Sequence, residues 1–505
     1  MHDFPREPRA ASANATWGRR PAAERGWSLP ALMLFGPVTF GIFGACMLWP
    51  NPEGFWGPAA TLAIAWLLFA IHLLCCGRAL SSFDPLIWVP VIILLNYFGM
   101  PLAIHVIGAE TLSGYDAWNI GGPPRVTHAF AVALLSFSAM LFGAHLAGIA
   151  PTHGKPAPPR SDERPIFGPA MCLLLGGMLM ILVGIPVAGL DVVTADYGVR
   201  RTAEKFGIAD FRLFGSGFLF AMGGVYGVLA SHTRQRAPYT YFALLSAVTI
   251  AVLLILTGDR GGLSAFMIAA GWAYTQRIGQ IKRWYVVVGF IFALVVMPVI
   301  KDFRETQSVE NEDRSVRSLV ASTIYEMGMT LQVFCYTLEH IPRNKGYDWG
   351  AAFFSQTLNQ IPNFGLSPGA YFGLDPLKHD PSHWVTNTAN PSKYYYQRGG
   401  YGFALGAQWY FDFGLTGVFL GMTLTGWFLG WVRNVSRRSP MMLTFSALLL
   451  GMFALVIRND LGYPLRTLLW PMMGLLLLRL LWPRTRPMPQ LMREGDLTHR
   501  VGAST

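Results

Sequence analysis

Cationic side chains at predicted turns between apolar runs are the residues most able to do chemistry here. Arg260 sits in Thr257-Gly258-Asp259-Arg260-Gly261-Gly262, where glycines allow a tight reversal. The planar guanidinium fork can hold two phosphate oxygens at once; a pair with Asp259 is the structural alternative. The stretch from Asp196 to Lys205 adds Arg200 and Arg201. Adjacent residues on a helix diverge by ~100°, so at most one of the two is expected to face a site, and a solvated loop paired with Glu204 and Asp210 is the other reading. Arg458 and Arg466 flank another turn, with Asn459, Asp460 and Gly462 between them. A cation inside an apolar span needs an anion, a carboxylate or water, which marks Arg466 either as a functional group or as a partner of Asp460.

Proton transfer calls for a carboxylate or imidazole. Glu326 is the carboxylate on a polar stripe with Ser322, Thr330 and Thr337, and near apolar surface it would suit a general base for a hydroxyl. His379 and His383 are four apart, but Pro381 between them breaks a regular helix, so a loop base is favoured over a metal site. No acidic pair for a metal-bound nucleotide and no glycine-rich phosphate loop with its lysine is present. The five cysteines, Cys46, Cys75, Cys76, Cys172 and Cys335, show no linear ligand spacing or disulfide framework. Neither a metal nor a cofactor is expected.

The elements that must position these residues are membrane helices. Of 505 residues, 52% are hydrophobic and 13% charged, against about 25% charged in a soluble domain. Apolar runs approach the ~20 residues that cross a bilayer as helix. The pattern predicts an all-α, polytopic membrane helix bundle of about twelve spans, at 30–49, 58–76, 86–107, 127–148, 168–188, 213–231, 239–257, 261–276, 285–300, 411–432, 440–457 and 463–482. Five arginines precede the first run without a small-residue cleavage site, so residues 1–29 read as a basic tail before an anchor. With that tail inside, the inner segments hold 21 basic residues and the short outer loops seven. That asymmetry predicts cytoplasmic termini. It also accounts for the net charge of +11 without a nucleic-acid footprint, which would need its own basic patch.

The organisation expected is thus 1–29 tail, 30–300 spans one to nine, 301–410 a large outer loop, 411–482 spans ten to twelve, and 483–505 a cytosolic tail. Within the loop, apolar residues from Val316 to Ile341 recur at steps of three and four, predicting an amphipathic helix along the membrane surface. Residues 342–403, rich in Pro, Gly, Asn and Tyr, read as irregular loop with short elements. No fixed-period repeat is visible.

In order, these features resemble the oligosaccharide repeat-unit polymerases of bacterial surface polysaccharide, the O-antigen polymerase or Wzy family. The resemblance rests on the TGDRGG turn, Glu326-Met327-Gly328-Met329-Thr330, Ile341-Pro342, Tyr347-Asp348-Trp349-Gly350, Ile361-Pro362 and GGYGFALGAQWYFDFGLTGVFLGM at 399–422. It covers about 190–432. It implies glycosyl transfer on the periplasmic face of the inner membrane: a glycan leaves its undecaprenyl diphosphate and joins the terminal sugar of a new lipid-linked repeat, without metal. By this analogy Arg260, Arg200, Arg201 and Arg458 would contact diphosphate or glycan; Arg466 as a further contact and Glu326 as base rest on the reading of the residues themselves. The partners implied are undecaprenyl-diphosphate-linked oligosaccharides, the bilayer and a chain-length-regulating co-polymerase. A lipid-linked glycan ligase shares this architecture. A flippase or transporter would want charges or broken helices at the midplane, and spans one to nine are free of charge there.

The topology is directly testable. A single cysteine at position 380 should react with an impermeant maleimide in cells whose inner membrane is intact, while tags after residue 158 and at the C-terminus stay cytosolic. Protection of position 380 until the inner membrane is opened would reverse the orientation.

Overall fold

The computed structural model describes residues 28–48, 57–107, 123–149, 166–188, 209–257, 259–291, 294–295, 316–360, 371–389 and 402–482. Its helices, in chain order, are α1 (Ser28–Leu48), α2 (Pro58–Cys76), α3 (Pro85–Pro101), α4 (Pro123–Leu146), α5 (Phe167–Ala188), α6 (Ala209–Ala230), α7 (Ala237–Leu256) and α8 (Arg260–Arg277). After a further helical stretch at 283–291 come α9 (Val316–Gly328), α10 (Thr330–His340), α11 (Ala351–Gln360), α12 (Pro376–His379), α13 (Pro381–Ala389), α14 (Leu405–Val435), α15 (Pro440–Val456) and α16 (Gly462–Leu481). No strand occurs among the described residues.

Nine of the described helices, α1 to α7, α14 and α16, are long and apolar enough to cross a membrane. The expected count of about twelve is therefore not reproduced, and the reason differs for each missing span. At 261–276 there is a helix, α8, but it carries Arg, Tyr, Thr and Gln and packs against α6, α7 and α15. A helix covered by protein need not be apolar all round; Trp272 and Ala269 on α8 are fully buried. The segment at 440–457 is α15, apolar but only 17 residues long. The segment at 285–300 lies partly outside the described residues.

Two small-residue crossings set the spacing of the bundle. Along α4 and α14, a Cβ on Gly143 would overlap the Thr423 carbonyl and one on Gly426 the Met140 carbonyl, so the backbones touch. Such close approach is how helices associate in lipid, where no hydrophobic force separates helix from acyl chain. A second crossing joins α3 to α9: a Cβ on Gly328 would overlap the Met100 backbone, and one on Gly99 would lie 2.6 Å from the Ile324 carbonyl.

That second crossing corrects the surface-helix expectation. The periodic stretch is broken into α9 and α10, and α10 is packed against α3, α4, α13 and α14 instead of lying across the outside. Every residue from Thr330 to Thr337 is buried. Thr330 and Thr337 of the polar stripe are folded inward and satisfied there: Thr337 donates to the Val333 carbonyl at 2.7 Å and Thr330 to the Met327 carbonyl at 3.1 Å.

The turns sort to two ends. At one end, Arg433 Nε lies 2.9 Å from both Asp84 carboxylate oxygens and its Nη2 donates to the Ala79 carbonyl at 2.8 Å. Arg283 reaches the Leu80 carbonyl and Asn434 the Gly148 carbonyl at this same end. At the other end, Gly261 at the start of α8 lies against Leu455 near the end of α15, and Gly402 lies against the carbonyl of Arg458.

Candidate functional site

The second end is built around a reversal inside α14. Gly414 has φ 68° and ψ −156°, a conformation open to glycine and costly for other residues. It turns residues 405–413 back along 415–421, so that the Trp409 ring lies where a Cβ on Gly421 would stand. The Tyr347-Asp348-Trp349-Gly350 motif clamps this reversal. The Asp348 and Trp349 amides donate to the Phe411 and Asp412 carbonyls at 3.2 and 3.0 Å. The Gly350 amide donates to Asp412 Oδ1 at 2.9 Å, and the Tyr347 ring abuts Gly414. Two motifs separated by about fifty residues in the chain thus form one structural unit.

Around that unit lie three polar groupings. In the first, Asp348 accepts from Lys345 and lies 3.0 Å from His379 Nδ1, while the Lys345 ammonium sits 3.7 Å from the Phe411 ring centre. In the second, the buried Gln356 and Gln408 pair through their amides at 2.6 Å, and Gln408 Oε1 accepts the Leu461 amide at 3.2 Å. The Gln356 Nε2 and Ser355 hydroxyl are buried without a hydrogen-bond partner. Next to them Gln360 accepts from Arg466 Nε at 3.0 Å through its side chain and from the Trp470 indole at 3.0 Å through its carbonyl.

The third grouping is a pair of carboxyls. Asp380 caps α13, accepting from the Ser382 hydroxyl at 3.0 Å and from the Ser382 and His383 amides at 3.2 and 3.3 Å. Its side chain is within hydrogen-bond reach of Asp460, in the α15–α16 turn, and His383 Nδ1 stands 3.5 Å from Asp380 Oδ2. Burial raises both carboxyls above the usual range, and each raises or tempers the other. Two carboxyls so placed share one proton, since both cannot ionise cheaply side by side. Such a pair can give a proton to one oxygen and take one from another.

The residues singled out in the sequence fall as follows. Arg458 is exposed beside Gly402, and Arg466 is half-buried on Gln360 and Trp470. The alternative pairing of Arg466 with Asp460 is not formed, because Asp460 turns to Asp380. Arg260 opens α8 at this same end; its neighbour Asp259 caps the helix by accepting the Gly262 amide at 2.8 Å. Arg200 and Arg201 lie outside the described residues.

Glu326 is half-buried on α9. Ile324 and Gly328 of that helix face α3, and a residue two positions from each points to the opposite flank. From the end of α9 to His340, which packs edge-on against Trp384 of α13, the chain runs the length of α10, about 15 Å by its rise. His379 and His383 are divided by Pro381, which opens α13, and each has its own carboxylate.

Residues not foreseen as a group are Asp348, Gln356, Gln360, Asp380 and Gln408. The available signal was weak: Gln356 and Gln360 are one helical turn apart, and Gln408 directly precedes the aromatic run Trp409-Tyr410-Phe411.

The fold and this site define a polytopic helical membrane protein in which the Asp380–Asp460 pair, Arg458 and Arg466 lie at one end. The model of the family described as O-antigen polysaccharide polymerase Wzy matches residues 215–484, more than half of the chain and all of the site, and the chain belongs to that family. No curated protein and no solved structure matches it. Membership implies O-antigen repeat-unit polymerisation by a glycosyltransferase acting on lipid-linked oligosaccharides, and with the apolar helices it makes the chain a multi-pass inner-membrane protein.

The raised carboxyl pair has a pH signature. The folded protein holds a proton here that the unfolded chain, with aspartates near 3.8, releases. The stabilisation is therefore complete below that value and lost as pH rises through the raised one. In detergent, the unfolding midpoint should fall between about pH 5 and about pH 8, and Asp460→Asn should flatten that fall. Identical pH profiles for the two proteins would mean the pair does not share a proton.

Proposed function

We propose that the chain polymerises undecaprenyl-diphosphate-linked repeat units on the periplasmic face of the inner membrane, with both termini cytoplasmic, the 301–410 segment outside and no metal in the transfer. The observation that carries this reading is the approach of the Asp380 and Asp460 carboxyls to within hydrogen-bond reach, at the end of the bundle where Arg458, Arg466 and the first turn of α8 also lie.

The chemistry follows from the charges. The donor glycan leaves a diphosphate, and the negative charge that develops on the departing oxygen is stabilised by preorganised cations. Arg458 and Arg466 are the described candidates. Arg466 commits only its Nε to Gln360, so its two terminal nitrogens can form a bidentate fork. Arg260, Arg200 and Arg201 complete the proposed clamp. The ionised member of the carboxyl pair accepts the proton of the acceptor hydroxyl as that oxygen attacks the anomeric carbon, while the diphosphate departs with the bonding electrons. His383, beside Asp380, gives the proton a further stop. Glu326, the base proposed from the sequence, is the competing assignment.

Purified protein supplied with lipid-linked repeats in chelator should polymerise them. Asp460→Asn should bind substrate but slow transfer by roughly 10²–10⁴, the worth of a general base. Arg466→Lys and Arg260→Lys should each lose on the order of 10²–10³, as when one charge-stabilising donor is removed. An active Asp460→Asn with an inactive Glu326→Gln would return the base to Glu326. Activity lost in chelator and restored by a divalent ion would overturn the metal-free reading. Transfer to a lipid A core acceptor in place of a lipid-linked repeat would make the chain a ligase, and translocation without transfer a flippase.

A further inference from the structure

At the opposite end of the bundle from the carboxyl pair, α2 and α4 bring together three groups that the reaction does not use. His72, Cys76 and His145 are all buried, and one ligand atom from each lies within 4.8 Å of the others. His72 Nδ1 and His145 Nε2 are 3.0 Å apart, and Cys76 Sγ is 3.8 Å from His72 Nδ1. In a three-coordinate site with bonds of about 2.0 Å to nitrogen and 2.3 Å to sulfur, donor atoms stand about 3.5–3.7 Å apart, so seating an ion opens the two imidazole nitrogens by about half an ångström and brings the remaining separation, within 4.8 Å, toward that value.

The surroundings are those of a ligand set. His72 Nε2 lies 2.8 Å from the Leu86 carbonyl, an acceptor that takes the Nε2 proton and leaves the Nδ1 lone pair toward His145, while Cys76 Sγ stands 3.8 Å from Nδ1 and 3.7 Å from Nε2. Such an outer hydrogen bond is how ligating histidines are commonly oriented. The Phe35 ring stacks on His145 at 5.0 Å and meets His72 edge-on. His145 Nδ1 is buried without a hydrogen-bond partner. Spacing on α2 supplies the rest, since residues 72 and 76 are one turn apart on a single helix face.

We infer that His72, Cys76 and His145 form a binding site for one soft monovalent metal ion, copper(I). Thiolate and imidazole donors select copper(I) or zinc(II). Charge decides between them. Binding releases the Cys76 thiol proton to solvent, so a copper(I) complex is neutral, whereas zinc(II) would leave a net positive charge among apolar rings at a large desolvation cost. The neighbouring Asp84–Arg433 ion pair is already balanced and offers no spare anion.

The test is an anaerobic copper(I) titration of the full-length protein in detergent against a chromogenic copper(I) chelator. One equivalent should bind, about 100-fold or more tighter than in Cys76→Ala, since even outer-shell losses cost 10–100-fold. Cys335→Ala, remote from the trio, should bind as the parent does. X-ray absorption on the unmutated copper-loaded protein guards against variants that misfold, and should show one sulfur and two nitrogen neighbours. Unchanged binding in Cys76→Ala, no binding by the parent, a different ligand shell, or preference for zinc(II) would each overturn the site.

Discussion

A polar chain drawn into an apolar bundle has to find its hydrogen-bond partners inside, and the arrangement of the end that holds Asp380 and Asp460 follows from that requirement. Gln356, Thr337, Thr386 and Asp412 are all essentially without solvent contact. Leaving one such group unsatisfied costs about 1–3 kcal/mol, so the segments that carry them must pair with each other. Hence Gln356 meets Gln408, Gln360 meets Arg466, and Asp412 receives the amide of Gly350. The Gly414 reversal makes these pairings available by returning residues 405–413 into the bundle. At the Asp380–Asp460 pair, Asp460 is buried and Asp380 half-buried; placed within hydrogen-bond reach of each other, the two carboxyls can share a proton.

The remainder of the bundle supplies rigidity. The α4–α14 contact, with glycines meeting backbone at Gly143 and Gly426, admits no bulkier residue at either position. At the far end the Asp84–Arg433 pair is almost wholly buried. Breaking such a pair by removing one partner costs about 3–5 kcal/mol even where the intact pair adds little, so it locks the α2–α3 turn against the end of α14.

How much of this could be read in the sequence depends on the length scale of the interaction. The helical class, most span positions and the Arg458–Arg466 turn were legible, because apolar runs and isolated charges are local signals. The depth of α10 was not: a stripe with period near 3.6 is the same whether the apolar side meets lipid or the polar side is turned inward onto its own carbonyls, as at Thr337 and Thr330. The span at 261–276 shows the converse, since protein on several sides lets α8 keep polar residues that a lipid-facing helix would not. The carboxyl pair joins positions eighty apart, and the His72–Cys76–His145 group positions more than seventy apart. No linear spacing records contacts of that range, although Asp460 was visible as a partner for Arg466 and proved to belong to Asp380.

The central claim is that lipid-linked substrate is held where α13, the 402–413 segment and the α15–α16 turn converge. The most direct measurement is photo-crosslinking with a lipid-diphosphate-linked repeat unit that carries a photoreactive sugar, followed by peptide mapping. The account predicts adducts within 376–389 and 457–470, competed away by unlabelled substrate. Adducts confined to α9 around Glu326, or to α1–α5, would contradict it.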